Sequence, residues 1–251
     1  MSRNASPVRL FVKEELRTEA KIRLSRPHSI YLTKVMRRDI GDVIYIFNGK
    51  DGEWEGTIID RQDTIVTISL KSLFKAQPVA PDLQLLFAPV KRANVELMLQ
   101  KTTELGITSF IPILTANTDV VRLKSDRLIS IAREASEQSR RLTVPEVGEL
   151  VEFSDYFANW SRERVLFVLD QRSGSSSFVD RSLLKQKGSY NGISFFVGPE
   201  GGLTLSELYM LRDLPFSEIV SLGSRILRTE TAAIAAISIW QAICGEWYQN
   251  K

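Results

Sequence analysis

The strongest constraint on this 251-residue chain is a change of rhythm at Gln77-Pro78-Val79-Ala80-Pro81. Before it, short apolar stretches at 9–12, 43–47, 56–59 and 65–70 alternate with turn residues, the texture of strands. Asn48-Gly49 and Asp51-Gly52 cluster between two of them, a hairpin signal. One helical stretch is expected at 28–38, where Ile30, Leu32, Val35 and Met36 are interleaved with Lys34, Arg37 and Arg38. After Pro81 the order becomes strand, helix, strand. Strands are expected at 83–88, 107–114, 165–169, 193–197 and 219–222. Helices are expected at 94–105 (stopped by Gly106), 125–139, 204–211 and 229–247. Thr204 with Glu207 three residues on is a capping box. The strands at 165–169 and 193–197 are almost wholly apolar, as in a parallel sheet covered on both faces. The reading is a small β-rich domain of barrel type at 1–76 and an α/β layer domain at 77–251. Ser173-Gly174-Ser175-Ser176-Ser177 reads as a flexible loop.

Charge separates the same two regions. Residues 1–75 carry +4 and residues 76–251 carry −1, and within 1–38 ten basic side chains face three acidic ones. A basic end on a nearly neutral body points to an anionic partner, with a solvated charged face as the plainer alternative. Cys244 and His28 are the sole cysteine and histidine, which argues against a disulfide framework and against zinc. A Ser-His-Asp constellation would rest wholly on His28, which is read as structural. The start shows no apolar signal region, and the longest predominantly apolar run, 232–239, is far short of a membrane span. The expectation is a cytoplasmic protein.

In open α/β sheets ligands bind beyond the carboxyl ends of the strands. Two loops are placed there: Gly198-Pro199-Glu200-Gly201-Gly202, and the stretch Gly223-Ser224-Arg225-Ile226-Leu227-Arg228-Thr229-Glu230-Thr231. Neither matches a dinucleotide fingerprint or a phosphate loop. A pyrophosphate cradle also tolerates no nearby anion, and Glu200 stands in the middle of the first loop. Three glycines with one carboxylate suit a neutral or cationic ligand, such as a nucleoside carrying a sulfonium. A strand-to-helix turn and nothing more is the alternative. Arg225 and Arg228 precede a helix, where cations oppose the macrodipole by roughly 0.3–1 kcal/mol each. They therefore call for a ligand or for a local partner, with Glu230 the candidate.

GPEGGLTLSEL (198–208) and LGSRILRTETA (222–232) resemble the RsmE family of SPOUT-class RNA methyltransferases. VELMLQKTTELGI (95–107), EASEQSRR (134–141) with VPEV (144–147), and VMRRDIGD (35–42) with FNGKDGEWEG (47–56) extend the resemblance over nearly the whole chain. One departure is Arg140, which stands where the family usually has a glycine. The resemblance implies a PUA-like, RNA-binding β-barrel domain at 1–76. It further implies an α/β SPOUT domain at 77–251, a parallel sheet with flanking helices and a C-terminal trefoil knot. Without it, the general rarity of threaded chains predicts an unknotted Rossmann-like sheet.

The resemblance also implies S-adenosyl-L-methionine as cofactor, a homodimer, and methylation of N3 of a specific uridine in 16S rRNA of the small ribosomal subunit. The cofactor site would comprise Leu169, Val197, Gly198, Pro199, Glu200, Gly201, Gly202, Leu222, Gly223, Ile226, Leu227, Arg228 and Thr231. N3 carries a proton that must leave before its lone pair can attack, so charge spreads onto the O2 and O4 carbonyls. Arg228 is assigned to positioning and charge stabilisation, Glu230 to orienting Arg228, and Glu200 to accepting the proton. Arg9, Lys34, Arg37, Arg38, Arg140 and Arg141 are assigned to RNA. A related enzyme acting on tRNA or 23S rRNA, a non-catalytic RNA-binding or ribosome-assembly factor, and a nicotinamide-dependent dehydrogenase are the competing readings. The dehydrogenase lacks its fingerprint, and a non-catalytic factor would have no reason to keep both loop motifs.

Overall fold

The computed structural model describes residues 8–62, 64–120, 122–161, 163–172, 176–178 and 191–249. It resolves into two compact units: Met1–Ala80 with Ser136–Val144, and Pro81–Ala135 with Pro145–Lys251. Division of the sequence at 76/77 assigns Ser136–Val144 to the second domain, whereas this segment groups with the first unit.

The first unit is built on strands β1 (Arg9–Phe11), β2 (Lys21–Arg23), β3 (Val43–Phe47), β4 (Glu53–Gln62) and β5 (Ile65–Lys75). They form one sheet in the order β1-β3-β4-β5-β2, with β1 and β3 parallel and the other pairs antiparallel. Helix α1 (Arg26–Ile30), capped by Ser25, continues as a single π turn over Tyr31–Val35. Arg37, at φ +52°, follows the end of that turn. The helix expected at 28–38 is therefore earlier and shorter. Between β3 and β4 the Asn48 side-chain oxygen accepts the N–H groups of Lys50 and Asp51, and Gly49 and Gly52 take φ +85° and +82°. A Cβ on Gly52 would lie 2.4 Å from the Lys75 carbonyl oxygen, so glycine is required there. Three register shifts in the β4–β5 pair break the two-residue alternation. That is why the alternation revealed only 56–59 of a ten-residue strand. Leu10, Ile44, Ile46, Ile58, Val66, Ile68 and Leu70 fill the core of this unit.

The second unit contains β6 (Leu83–Phe87), α2 (Arg92–Glu104), β7 (Ser109–Leu114), α3 (Ser125–Gln138, its last residues assigned to the first unit), β8 (Glu146–Val147), β9 (Val151–Glu152) and α4 (Phe153–Ala158). It continues with β10 (Arg164–Leu169), β11 (Ser176–Ser177), β12 (Gly192–Val197), α5 (Leu205–Arg212), β13 (Ser217–Ser221), α6 (Thr229–Ile243) and α7 (Glu246–Gln249). The strands are all parallel, in the order β11-β13-β10-β12-β6-β7-β8, with β9 beside β7. Phe167, Phe195 and Val197 belong to one hydrophobic cluster, and their strand neighbours Leu166, Val168 and Phe196 to another. Burial on both faces removes the polar residues that would otherwise alternate.

β13 lies between β10 and β11, two strands that precede it in the chain. An unknotted Rossmann winding does not predict this insertion. Part of the stretch read as a flexible loop, Ser176-Ser177, is paired with Val220-Ser221; residues 173–175 lie outside the described residues. The terminal helix expected to reach 247 ends at Ile243. A Cβ on Gly245 would lie 1.9 Å from the Gln241 side-chain oxygen, and the chain turns there into α7.

Candidate active site

The register brings Leu169, Val197 and Val220 to one level at the carboxyl ends of β10, β12 and β13. The segments that follow these strands border a cleft of about 280 Å³ within the second unit. Of the cofactor residues that the resemblance implies, Leu169, Val197, Gly198, Pro199, Glu200, Gly202, Leu222, Gly223, Ile226, Leu227 and Arg228 line it. Gly201 and Thr231 do not line it. Gly201 turns its carbonyl to Asn117 (3.4 Å), and Thr231 is exposed on α6. On that helix Thr229 and Ala232 line the cleft. Their three-residue spacing leaves Glu230 and Thr231 on other faces.

The structure adds lining residues that motif reading missed, Asp170, Gln171 and Leu203 among them. Asp170 immediately follows β10 and accepts from the Arg172 guanidinium at 2.7 Å. That carboxylate raises the arginine's already high pKa, so the guanidinium stays charged. Arg172 also donates to the Leu203 carbonyl at 2.7 Å. Thr229 donates its hydroxyl to the Gly198 carbonyl at 3.2 Å and joins the start of α6 to the first loop.

The two arginines differ from expectation. Arg225 and Arg228 are exposed at the cleft, Arg228 as the N-cap of α6, and among the described residues neither forms an ion pair with Glu230. Glu230 is buried in the first turn of α6, and among the described residues its Oε2 has no hydrogen-bond partner. The orienting role assigned to it is therefore corrected. A carboxylate in a first helical turn answers the helix dipole and does not need an arginine to do so. Glu200 is exposed on the loop after β12.

Among the residues assigned to RNA, Lys34 and Arg37 are exposed and Arg38 is half-buried, all on or just after the π turn. Arg9 is a correction. It is 9% exposed, is ion-paired with buried Glu53, and stands 4.7 Å from the Phe47 ring centroid. Its guanidinium donates to the carbonyls of Ser136 (3.3 Å), Glu137 (2.8 Å) and Arg141 (2.9 Å), binding 136–144 into the first unit. Phe11 adds its N–H to the Glu137 carboxylate at 2.8 Å. Arg9 is thus a structural clip with no charge free for phosphate. Arg141 is half-buried and donates to the Thr143 hydroxyl at 3.1 Å. Arg140 is exposed at φ +61°, so the loop keeps the left-handed backbone that glycine favours although arginine stands there.

A parallel sheet with its cleft between two motif loops, in a chain that also carries a separate, mostly antiparallel domain, is the architecture that the resemblance to SPOUT-class RNA methyltransferases implies. The family model for an RNA methyltransferase domain matches residues 77–241, and that for an RNA methyltransferase PUA domain matches 31–71. The ribosomal RNA small subunit methyltransferase E of Rickettsia conorii is 32% identical over 92% of this chain and 93% of its own. The protein of the same name from Synechocystis sp. is 30% identical, over 92% of this chain and 76% of its own. A Neisseria gonorrhoeae ribosomal RNA small subunit methyltransferase E, crystallised bound to S-adenosyl methionine, superposes with a TM-score of 0.83 at 25% identity, covering 94% of this chain and 98% of that one. The chain belongs to the RsmE family of RNA methyltransferases.

Proposed function

We propose that this chain transfers the methyl group of S-adenosylmethionine to N3 of a specific uridine in 16S rRNA of the small ribosomal subunit. The observation that carries the reading is the cleft at the ends of β10, β12 and β13, bordered by both family motifs. Its residues fit the cofactor. Leu169, Val197, Leu222, Leu227 and Ala232 offer apolar walls for an adenosine, and Glu200 places an exposed carboxylate on the border of a site for a cationic ligand. A Cβ on Gly223 would meet no atom of the described residues within 4 Å, so that backbone is open to a ligand. The bound cofactor supplies an electrophilic methyl group.

The remaining work belongs to side chains of this protein. Arg228, exposed and without an ion-pair partner among the described residues, holds the negative charge that develops on the uracil carbonyls. Glu200, exposed on its loop, accepts the N3 proton. Because N3 lies on the pairing edge, the base enters unpaired or turned out. Lys34, Arg37 and Arg38 bind RNA phosphates, and the active form is a homodimer, which light scattering on the purified chain tests.

The decisive experiment transfers labelled methyl from S-adenosylmethionine to small subunits lacking the modification, with naked 16S rRNA and bulk tRNA in parallel. A single N3-methyluridine in 16S rRNA is expected. Label on tRNA alone would overturn the substrate and retain the fold and cofactor.

A further inference from the structure

The first motif loop is held from outside by a turn that no motif includes. After β7 the chain makes a tight turn at 115–118, closed by the Thr118 N–H to the Thr115 carbonyl (3.0 Å) and by the Thr115 N–H to the Thr118 hydroxyl (3.0 Å). From this turn the Asn117 side-chain amide donates to the carbonyls of Gly202 (2.9 Å) and Gly201 (3.4 Å). A trans peptide points its N–H opposite its carbonyl, so holding two successive carbonyls fixes two successive peptide planes. A Cβ on Gly201 would stand 3.3 Å from the Asn117 Cβ, so the loop lies close against this turn.

Glu207 provides a second tie. It is 8% exposed, and its carboxylate accepts from the N–H of Ala116 (2.8 Å), the N–H of Thr204 (2.7 Å) and the hydroxyl of Thr204 (2.9 Å). A capping box needs just the bonds to Thr204. The bond to Ala116 spans 91 positions of sequence and fastens the 115–118 turn to the exit of the loop.

We propose that Asn117 and Glu207 are positioning residues for S-adenosylmethionine, acting through the backbone of the 198–203 loop and touching neither cofactor nor RNA. The inference rests on the cofactor reading of the cleft given above. It makes the 115–118 turn a determinant of cofactor affinity.

The test uses the full chain. Asn117→Asp keeps the shape and removes the amide donor; Glu207→Gln keeps the shape and replaces one acceptor with a donor. S-adenosylhomocysteine binding is measured by calorimetry, and KM and kcat by methyl transfer to small subunits. Each variant is expected to weaken S-adenosylhomocysteine about tenfold, the effect of losing a hydrogen bond or so. KM for S-adenosylmethionine should rise by the same factor, with the melting temperature within about 3 °C of the parent. A purely structural role would lower the melting temperature and leave the dissociation constant unchanged, which overturns the proposal. Hydrogen exchange on the parent chain separates the two levels. If S-adenosylhomocysteine fails to protect 198–203, the cofactor reading falls and this inference falls with it. If protection is present and both variants bind like the parent, the positioning inference alone is overturned.

Discussion

Arg9 and Arg228 are the same residue type, each beside a strand or helix boundary and each read from sequence as a cation waiting for an anion. Arg9 lies inside the first unit, ion-paired to Glu53 and donating to three backbone carbonyls. Arg228 lies exposed at a cleft in the second unit, with no ion-pair partner among the described residues. An arginine whose three side-chain nitrogens are each engaged by its own chain serves folding; one left exposed at a cleft is available to a ligand. Charge counting treats the two alike, and burial distinguishes them.

Substitution tests this contrast, beginning with the largest effect. Arg9→Ala leaves the Glu53 carboxylate buried without its partner and releases three carbonyls, so it should destabilise folding by about 3–5 kcal/mol. Chemical denaturation checks this, and a loss under 1 kcal/mol would place Arg9 back among the surface cations. Arg228→Ala should leave stability nearly unchanged and reduce methyl transfer by about 10²–10³, the typical effect of removing one charge-stabilising donor. Full activity in that variant would remove Arg228 from the chemistry and with it the active half of the comparison.

Arg37→Ala with Arg38→Ala should weaken RNA binding and flatten its salt dependence by about two units of slope at most. Arg38, half-buried, should contribute the smaller share. An unchanged slope would make both of them ordinary surface charges. Arg140→Gly should give the smallest change, a gain of stability of about 1 kcal/mol, since it relieves a left-handed arginine at φ +61° at some cost in unfolded-chain entropy. A loss of RNA affinity in this variant would show that the side chain, and not the backbone, is what this position supplies.

The elements that were legible in sequence are those with an unbroken local pattern. The apolar run of β12, the capping box of α5 and the Asn-Gly turn after β3 all depend on residues a few positions apart. The full length of β4 was hidden because its register shifts break the alternation. β11 was hidden because two serines carry no strand signal, and pairing with β13 alone makes them a strand. In the cleft, most residues of the two motif loops were legible as a set, whereas Asp170 was not, and neither was Asn117 outside it. Asp170 is a lone carboxylate at the end of a strand, and Asn117 sits in a turn with no repeated pattern to mark it.

The sequence alone determined the two-domain texture, the parallel sheet buried on both faces, and the two loops that border the cleft. Each is a local property, set by hydrophobic period, turn chemistry and glycine placement. Tertiary structure alone decided which arginine is buried, that Glu230 stands apart from Arg228, that β13 lies between β10 and β11, and that Asn117 and Glu207 hold the loop at 198–203. These depend on contacts between residues tens of positions apart. Such contacts are selected by which groups must be desolvated and hydrogen-bonded together when the sheet closes, and no local pattern encodes them.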